Sequence, residues 1–349
     1  MIVITGLIIP QILLIAFRKN LFDEVGDRKI HKGAVPRLGG IAFFPAILFA
    51  LLFVSGLSTI SDTFSTLPHL SEHFRAFSLE TCAVITLYLT GMADDLVGVR
   101  YRAKFIAQIL AAILVIAAGV SMDNLHGFLW INEVPLPVAI FLTLLLTIFI
   151  TNAINLIDGI DGLASGLSGI ASAFYGVVFF QQGLYFYSML AFATLGALIP
   201  FFCYNVFGNP EKHRKIFMGD TGALTIGLTL SVFSLRICME PQLTDGTNPA
   251  VAAFAPLLIP CLDVVRVYFR RLRGGKNPFL PDKTHIHHKC LALGMSQKTT
   301  MPVLVSSAAV LTLLNYLLGT FINITLLFCI DLIIWTVINI FLSRKIKTI

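Results

Sequence analysis

Two adjacent carboxylates, Asp94 and Asp95, follow an apolar run from Leu79 to Met92 with no polar linker between. Acids also follow apolar stretches at Asp158 and Asp161, after Ile154-Asn155-Leu156-Ile157, and a further one stands at Asp220. Carboxylates at the ends of membrane-type segments are costly to place and call for a partner. Neighbouring carboxylates repel, so one pKa rises unless a cation neutralises the pair. The first case suits a general base and the second a metal site. A divalent cation bound to a pyrophosphate would partner all five acids, which points to phosphoryl chemistry at a membrane face.

The strongest motif is Asn152-Ala-Ile-Asn155-Leu-Ile-Asp158-Gly159-Ile-Asp161-Gly162. Its polar groups recur every third residue, about 60° short of a full helical turn each time. Neighbours in the series share a face, while Asn152 and Asp161 point opposite ways. Gly159 and Gly162 are expected to break the helix there. A broken helix at a membrane face offers oxygen ligands and open backbone, and an all-oxygen cluster suits Mg²⁺.

Phe217-Met218-Gly219-Asp220-Thr221-Gly222 opens another apolar span. Asp220 and Thr221 either cap that helix or belong to an anion site at its N-terminus. Asp27 to Gly40 carries Lys32 and Arg37, then a Pro and paired Gly that suggest a shaped turn. The last large loop holds Arg273, His285, His287 and His288. Three histidines within four residues could bind a metal, but beside so many Arg and Lys phosphate recognition is the favoured reading.

The elements that position these groups are membrane helices. Of 349 residues, 56% are hydrophobic and 13% charged, against roughly a quarter charged in soluble domains. Mean hydropathy is +0.85. No period-two alternation of a membrane barrel is present, so the fold expected is all-α: a single polytopic helical bundle of ten or eleven spans. These are 1–17, 40–58, 78–93, 104–120, 137–154, 163–181, 184–203, 221–239, 250–269, 302–319 and 321–342. The six cysteines are scattered singly and suggest neither a disulfide framework nor a zinc site. The first apolar run precedes its basic residues, the reverse of a signal peptide, and reads as a retained helix starting outside.

With eleven spans, 23 of the 25 Lys and Arg fall on one side, leaving Arg75 and Arg236 on the other. The positive-inside rule makes that side the cytosol. It also explains the net charge of +6 without nucleic acid. Every acidic motif and the His cluster fall on this side, in loops near 18–39, 93–104, 155–162, 204–221 and 270–301. One-sided placement suits an enzyme using a cytosolic substrate. A transporter, the remote alternative, needs polar groups near the midplane. Asp331, inside the last span, reads as a helix-packing group with no assigned role.

Taken in order, HKGAVPRLGG, MADDLVGVR, NAINLIDGIDGLASG, FMGDTG and PFLPDKTHIHH resemble the polyprenyl-phosphate N-acetylhexosamine-1-phosphate transferases (glycosyl transferase family 4). The PDKTHIHH form and the Arg-rich loop before it are similar to the WecA/TagO-type branch. The muramoyl-pentapeptide branch has three contiguous His, whereas Ile286 interrupts them here, against a peptide-bearing donor.

The resemblance implies transfer of N-acetylglucosamine 1-phosphate from UDP-N-acetylglucosamine to undecaprenyl phosphate, with release of UMP, opening synthesis of a lipid-linked envelope glycan. Another UDP-N-acetylhexosamine donor is the alternative. It implies Mg²⁺, with Mn²⁺ as a substitute, held by Asn155 and Asp220. Asp94 and Asp95 would act near the lipid phosphate, Asp94 as base, with Asp158 supporting. Asp161 would contact the nucleotide, Asn205 would line the site, and His285, His287, His288 and Arg273 would hold donor phosphates or sugar. Lys32 and Arg37 would meet phosphates. Direct displacement and an aspartyl phosphosugar intermediate both remain open. The partners expected are the UDP-sugar, undecaprenyl phosphate and membrane lipid, with a homodimer left open. The implied location is the bacterial inner membrane, with the site facing the cytosol.

Overall fold

The computed structural model describes residues 1–22, 35–58, 74–275 and 284–348, and every structural statement below concerns these. In chain order the helices are α1 (Ile2–Lys19), α2 (Phe43–Ser58), α3 (Phe74–Val97), α4 (Tyr101–Ala117), α5 (Leu136–Ile157), α6 (Leu163–Gln181), α7 (Tyr185–Val206) and α8 (Gly219–Cys238). They continue with α9 (Pro249–Phe254), α10 (Leu258–Arg273), α11 (Ile286–Ala292), α12 (Gln297–Leu318) and α13 (Ile324–Thr348). A 3₁₀ turn, Gly39–Ala42, leads into α2, and another, Ala255–Leu257, joins α9 to α10. Ten helical segments are long and apolar enough to cross a membrane. Helix α4, at 17 residues, is only slightly shorter. The chain is a multi-pass helical membrane protein.

Helix α8 is the axis of the bundle. Every residue from Thr221 to Leu235 is buried, the signature of a helix covered on all sides. Its neighbours come close because small residues let them. A Cβ on Gly227 would stand 2.9 Å from the Cα of Thr151 in α5, the small-residue contact typical of helices in lipid. Thr143, Thr147 and Thr151 turn their hydroxyls back to carbonyls one turn earlier. Thr225 and Thr229 do the same in α8, so polar side chains are satisfied inside their own helices.

The structure differs from the expected spans in four places. Asp94 and Asp95 lie inside the last turn of α3, because the backbone ladder continues after the apolar side chains stop. Asn205 lies within α7 for the same reason. The ninth span is broken at Pro256 into α9 and α10, since proline lacks the N–H a continuous helix needs. The loop after α4 forms an antiparallel hairpin, β1 (Asn124–Phe128) and β2 (Ile131–Glu133). Asp331 accepts a hydrogen bond from Asn315 of α12 at 3.2 Å, the packing role expected of it.

At the hairpin end, Arg236 of α8 donates to Glu80 of α3 at 2.8 Å. The Tyr187 hydroxyl donates to the same oxygen at 3.1 Å, and its ring lies 5.1 Å from the guanidinium carbon. This explains one of the two basic residues that break the charge rule. Both charged groups are nearly buried, so removing one strands the other. Arg236→Met is expected to cost about 3–5 kcal/mol, and adding Glu80→Gln should recover most of it. Unfolding in detergent measures both variants, and an Arg236→Met protein as stable as the parent refutes the pairing.

Candidate active site

Four helix ends, spread between residues 94 and 220, meet at the end of the bundle opposite the hairpin. Asp220 accepts from the Asn155 amide on one oxygen and from Lys104 at 3.2 Å on the other. Lys104 also donates to Asp94 at 2.8 Å. The second oxygen of Asp94 takes the backbone N–H of Val99 at 2.6 Å. One ammonium thus joins two carboxylates, from α3 and α8, beside the last turn of α5. Lys104 had been counted only as positive-inside charge. Its place ten residues after Asp94, near the start of the next helix, was the available signal.

Asp95 has a different task. Its carboxylate accepts the N–H groups of Asp220 at 2.8 Å and Thr221 at 2.9 Å, and the Thr221 hydroxyl at 2.6 Å. Met218, at the N-cap position of α8, caps nothing with its side chain. An acid from α3 therefore caps α8 in trans, where free N–H groups and the helix dipole favour a negative charge. Asp95, which the family resemblance puts near the lipid phosphate, here fixes the backbone that carries Asp220. The alternative that Asp220 or Thr221 caps α8 is set aside on the same grounds.

The shaped turn after Pro36 completes the clamp. Phe217 N–H donates to the Pro36 carbonyl, Gly39 N–H to that of Phe217 and Gly40 N–H to that of Met218, each at 2.9 Å. A Cβ on Gly40 would fall 2.0 Å from the Gly222 nitrogen. Gly219 has φ +71°, and a side chain there would strike the Arg37 carbonyl. Only glycine fits either place. Arg37 sits exposed in this turn, its charge reaching Asp158, while Lys32 lies outside the described residues.

The series from Asn152 fans out as its spacing predicts. Asn152 exchanges amide hydrogen bonds with Gln108 of α4, at 2.7 and 3.2 Å. Asn155 meets Asp220, and Asp161 pairs with Lys215, one of the basic residues just upstream of the Asp220 motif. Helix α5 stops at Ile157, and α6 starts after Gly162, at φ +76°. Asp158 caps α5 between them. Its residue surface is open, yet its carboxyl stands among packed helix ends. Desolvation there, then the charge of Asp220, push its pKa up to about 7. Asp161 and Asp95 add to the shift and Arg37 opposes it.

Asn205, expected to line the site, is buried and committed to structure. Its oxygen accepts Gly162 N–H at 2.6 Å, and its amide donates to the Ile216 carbonyl at 2.8 Å. It clasps the start of α6 to the segment before α8.

The histidines reach the site through Asp263, an acid inside α10 that sequence reading missed. Its lone position in an apolar run was the signal. Asp263 bonds His285 at 2.8 Å, Arg266 at 2.7 Å and the Ile286 N–H at 3.1 Å. His287 is buried, with neither ring nitrogen hydrogen-bonded. Burial, then the neighbouring His288 and His285, push its pKa down to about 3, so it is neutral at physiological pH. It lies against the α5–α6 break: a Cβ on Gly159 would fall 2.2 Å from its Nε2. The ring of His288 lies 4.2 Å from that of His287. Arg273 sits exposed in the last turn of α10 and, among the described residues, bonds to none of these groups.

The match to known proteins covers this same region. Residues 77–238 match the model of glycosyl transferase family 4. An undecaprenyl-phosphate alpha-N-acetylglucosaminyl 1-phosphate transferase of Yersinia pestis is 30% identical over 307 residues, 86% of this chain and 78% of that protein. The Salmonella typhi protein of the same name is 31% identical, over 85% and 76%. A probable undecaprenyl-phosphate N-acetylglucosaminyl 1-phosphate transferase of Bacillus subtilis is 31% identical, over 85% and 77%.

The contact between Gly159 and His287 is testable without a substrate. Gly159→Ala should destabilise by about 1–3 kcal/mol through overpacking. In the Gly159→Ala/His287→Ala protein the alanine should cost much less, giving a coupled double-mutant cycle. Additive losses in thermal unfolding would place His287 away from the break.

Proposed function

Because this chain belongs to glycosyl transferase family 4, the polyprenyl-phosphate N-acetylhexosamine-1-phosphate transferases, we propose that it transfers N-acetylglucosamine 1-phosphate from UDP-N-acetylglucosamine to undecaprenyl phosphate. An acceptor phosphate oxygen bonds to the β-phosphorus of the donor, the bond from that phosphorus to the bridging oxygen breaks, and UMP leaves. The product is a lipid-linked diphosphate sugar for envelope glycan synthesis. The observation that carries this reading is the junction of Asp94, Lys104, Asn155 and Asp220 at four helix ends. Phosphoryl transfer asks for positioning and charge neutralisation more than for covalent groups, and this junction offers both beside the membrane.

The donor set fits Mg²⁺. Five carboxylates (Asp94, Asp95, Asp158, Asp161 and Asp220) face the cations of Lys104, Lys215 and Arg37, leaving an excess of negative charge. Among the described residues no group of three or more His, Cys, Asp or Glu forms a metal cage. That suits an ion held by one or two protein oxygens plus substrate phosphates. Asp220 and Asn155 would hold it, and bound there it would polarise the attacked phosphoryl group and neutralise the departing UMP. Mn²⁺ can take the same oxygens.

The chain's own groups do the rest. Lys104 offers an ammonium to the acceptor phosphate and restrains Asp94. Asp94 orients that phosphate and takes its one remaining proton where it has one. Asp95 keeps Asp220 aimed. Asp161 and Lys215 shape the nucleotide end. His287, being neutral, can donate one hydrogen bond and accept another, which suits the hydroxyls and acetamido group of the sugar better than its phosphates. The charge distribution supports a bacterial inner-membrane location with this junction facing the cytosol, where UDP-sugars are made.

Protein reconstituted in nanodiscs with undecaprenyl phosphate and UDP-N-acetylglucosamine should release UMP. Asp94→Asn, Asp220→Asn and Lys104→Met should each cut the rate by at least about a hundredfold, the scale of losing one preorganised electrostatic contact. A chelator should stop turnover, and Mg²⁺ or Mn²⁺ should restore it. Near-parental release from Asp220→Asn, or indifference to the chelator, refutes the assignment. Faster release with a different UDP-N-acetylhexosamine corrects the donor alone.

A further inference from the structure

A groove of about 930 Å³ runs between α1 and the end of α7, outside the catalytic junction. Its upper wall is apolar, with Leu14, Phe17, Cys203 and Phe207. Its lower rim carries Arg18, Lys212, His213 and Arg214, and no carboxylate is among the described residues that line it. An apolar slot that ends in clustered positive charge matches an amphiphile with acyl chains above and a phosphate below.

The basic rim is built, not merely a charged tail. Arg214 N–H donates to the Asn209 carbonyl at 3.0 Å, and His213 N–H donates to that of Pro210 at 3.1 Å. A Cβ on Gly208 would fall 2.1 Å from the carbonyl oxygens of both Tyr204 and Arg214, so the turn closes tightly on itself. His213 adopts φ +54°, a left-handed conformation that disfavours residues with a side chain. Its ring centroid lies 4.0 Å from that of Phe17 in α1. This contact joins the two walls at the level where the apolar lining gives way to charge.

The same segment shows opposite faces to the groove and to the catalytic junction. Tyr204 lines the groove, while Asn205 is turned inward to Gly162 and Ile216. Arg214 lines the groove, while Lys215 is buried and paired with Asp161. No residue of the Asp94–Lys104–Asp220 junction lines the groove.

We propose that this groove is a binding site for an anionic diacyl phospholipid of the leaflet on the catalytic side, its phosphate between Arg18, Lys212 and Arg214 and its chains along α1 and α7. The bound lipid braces the 207–215 turn from outside.

The test uses the full-length protein purified in mild detergent, with native mass spectrometry and thermal unfolding as readouts. Parental protein should retain phosphatidylglycerol, and adding phosphatidylglycerol, but not phosphatidylcholine, should raise its unfolding temperature. Lys212→Gln/Arg214→Gln should lower retention several-fold and abolish the shift. Cys203→Trp, which fills the apolar wall and leaves the charges, should do the same. Three results overturn the proposal: equal retention by all variants, an equal shift from inorganic phosphate alone, or polyprenyl phosphate as the retained lipid.

Discussion

The carboxylate of Asp95 on the first N–H groups of α8 is the contact on which the site depends. A helix that begins near lipid exposes unpaired donors and the positive end of its dipole, and little water is at hand to satisfy them. The residue before α8 cannot help, since Met218 has no acceptor of the right kind. An acid from α3 meets the need. Once it does, the backbone of Asp220 is fixed relative to α3, and its side chain can go only toward Lys104 and Asn155. The Gly39–Gly40 turn then closes over the opposite side, with no room for a Cβ at Gly40.

The two ends of the bundle treat charge differently. At the hairpin end, Glu80 and Arg236 neutralise one another inside a cage made by Tyr187 and the Ala118 carbonyl. Nothing is left over, which is what a structural ion pair requires. At the opposite end the described acids outnumber the described cations that face them, and the Asp158 carboxyl is pushed toward protonation. An uncompensated surplus of carboxylates beside a hydrocarbon layer is destabilising unless a ligand pairs with it. Among the described residues the fold carries such a surplus at this end, and under the proposed function a cation-bearing diphosphate would pair with it.

Much of this was legible in the residue pattern, because hydrophobic length and charge asymmetry are coarse and additive. The apolar spans and the break between Asp158 and Gly162 follow from composition and glycine placement. The convergence of Asp94, Asn155 and Asp220 followed from their common side. What escaped were the partners. Asp95 and Asp94 are neighbours in sequence and similar in chemistry, yet one caps a helix and the other faces the junction. Only the rotation of the last turn of α3 separates them. Asn205 entered through the family resemblance, and the backbone groups it satisfies, Gly162 and Ile216, become its neighbours only on folding. Asp263 was hidden because its role is to organise another segment.

An enzyme joining a water-soluble donor to a lipid-borne acceptor cannot place its site in the middle of a helix. There the backbone is fully hydrogen-bonded and every polar side chain must be repaid by another. Helix ends are different. They expose N–H and carbonyl groups, they sit where side chains change from apolar to charged, and several can meet without any helix being interrupted. Residues 204–216 show the consequence at the smallest scale. Asn205 and Lys215 turn inward to hold Gly162 and Asp161, while Tyr204, Phe207 and Arg214 line the groove. A single seam of chain thus separates the Asp161 and Gly162 contacts from the groove beside α1.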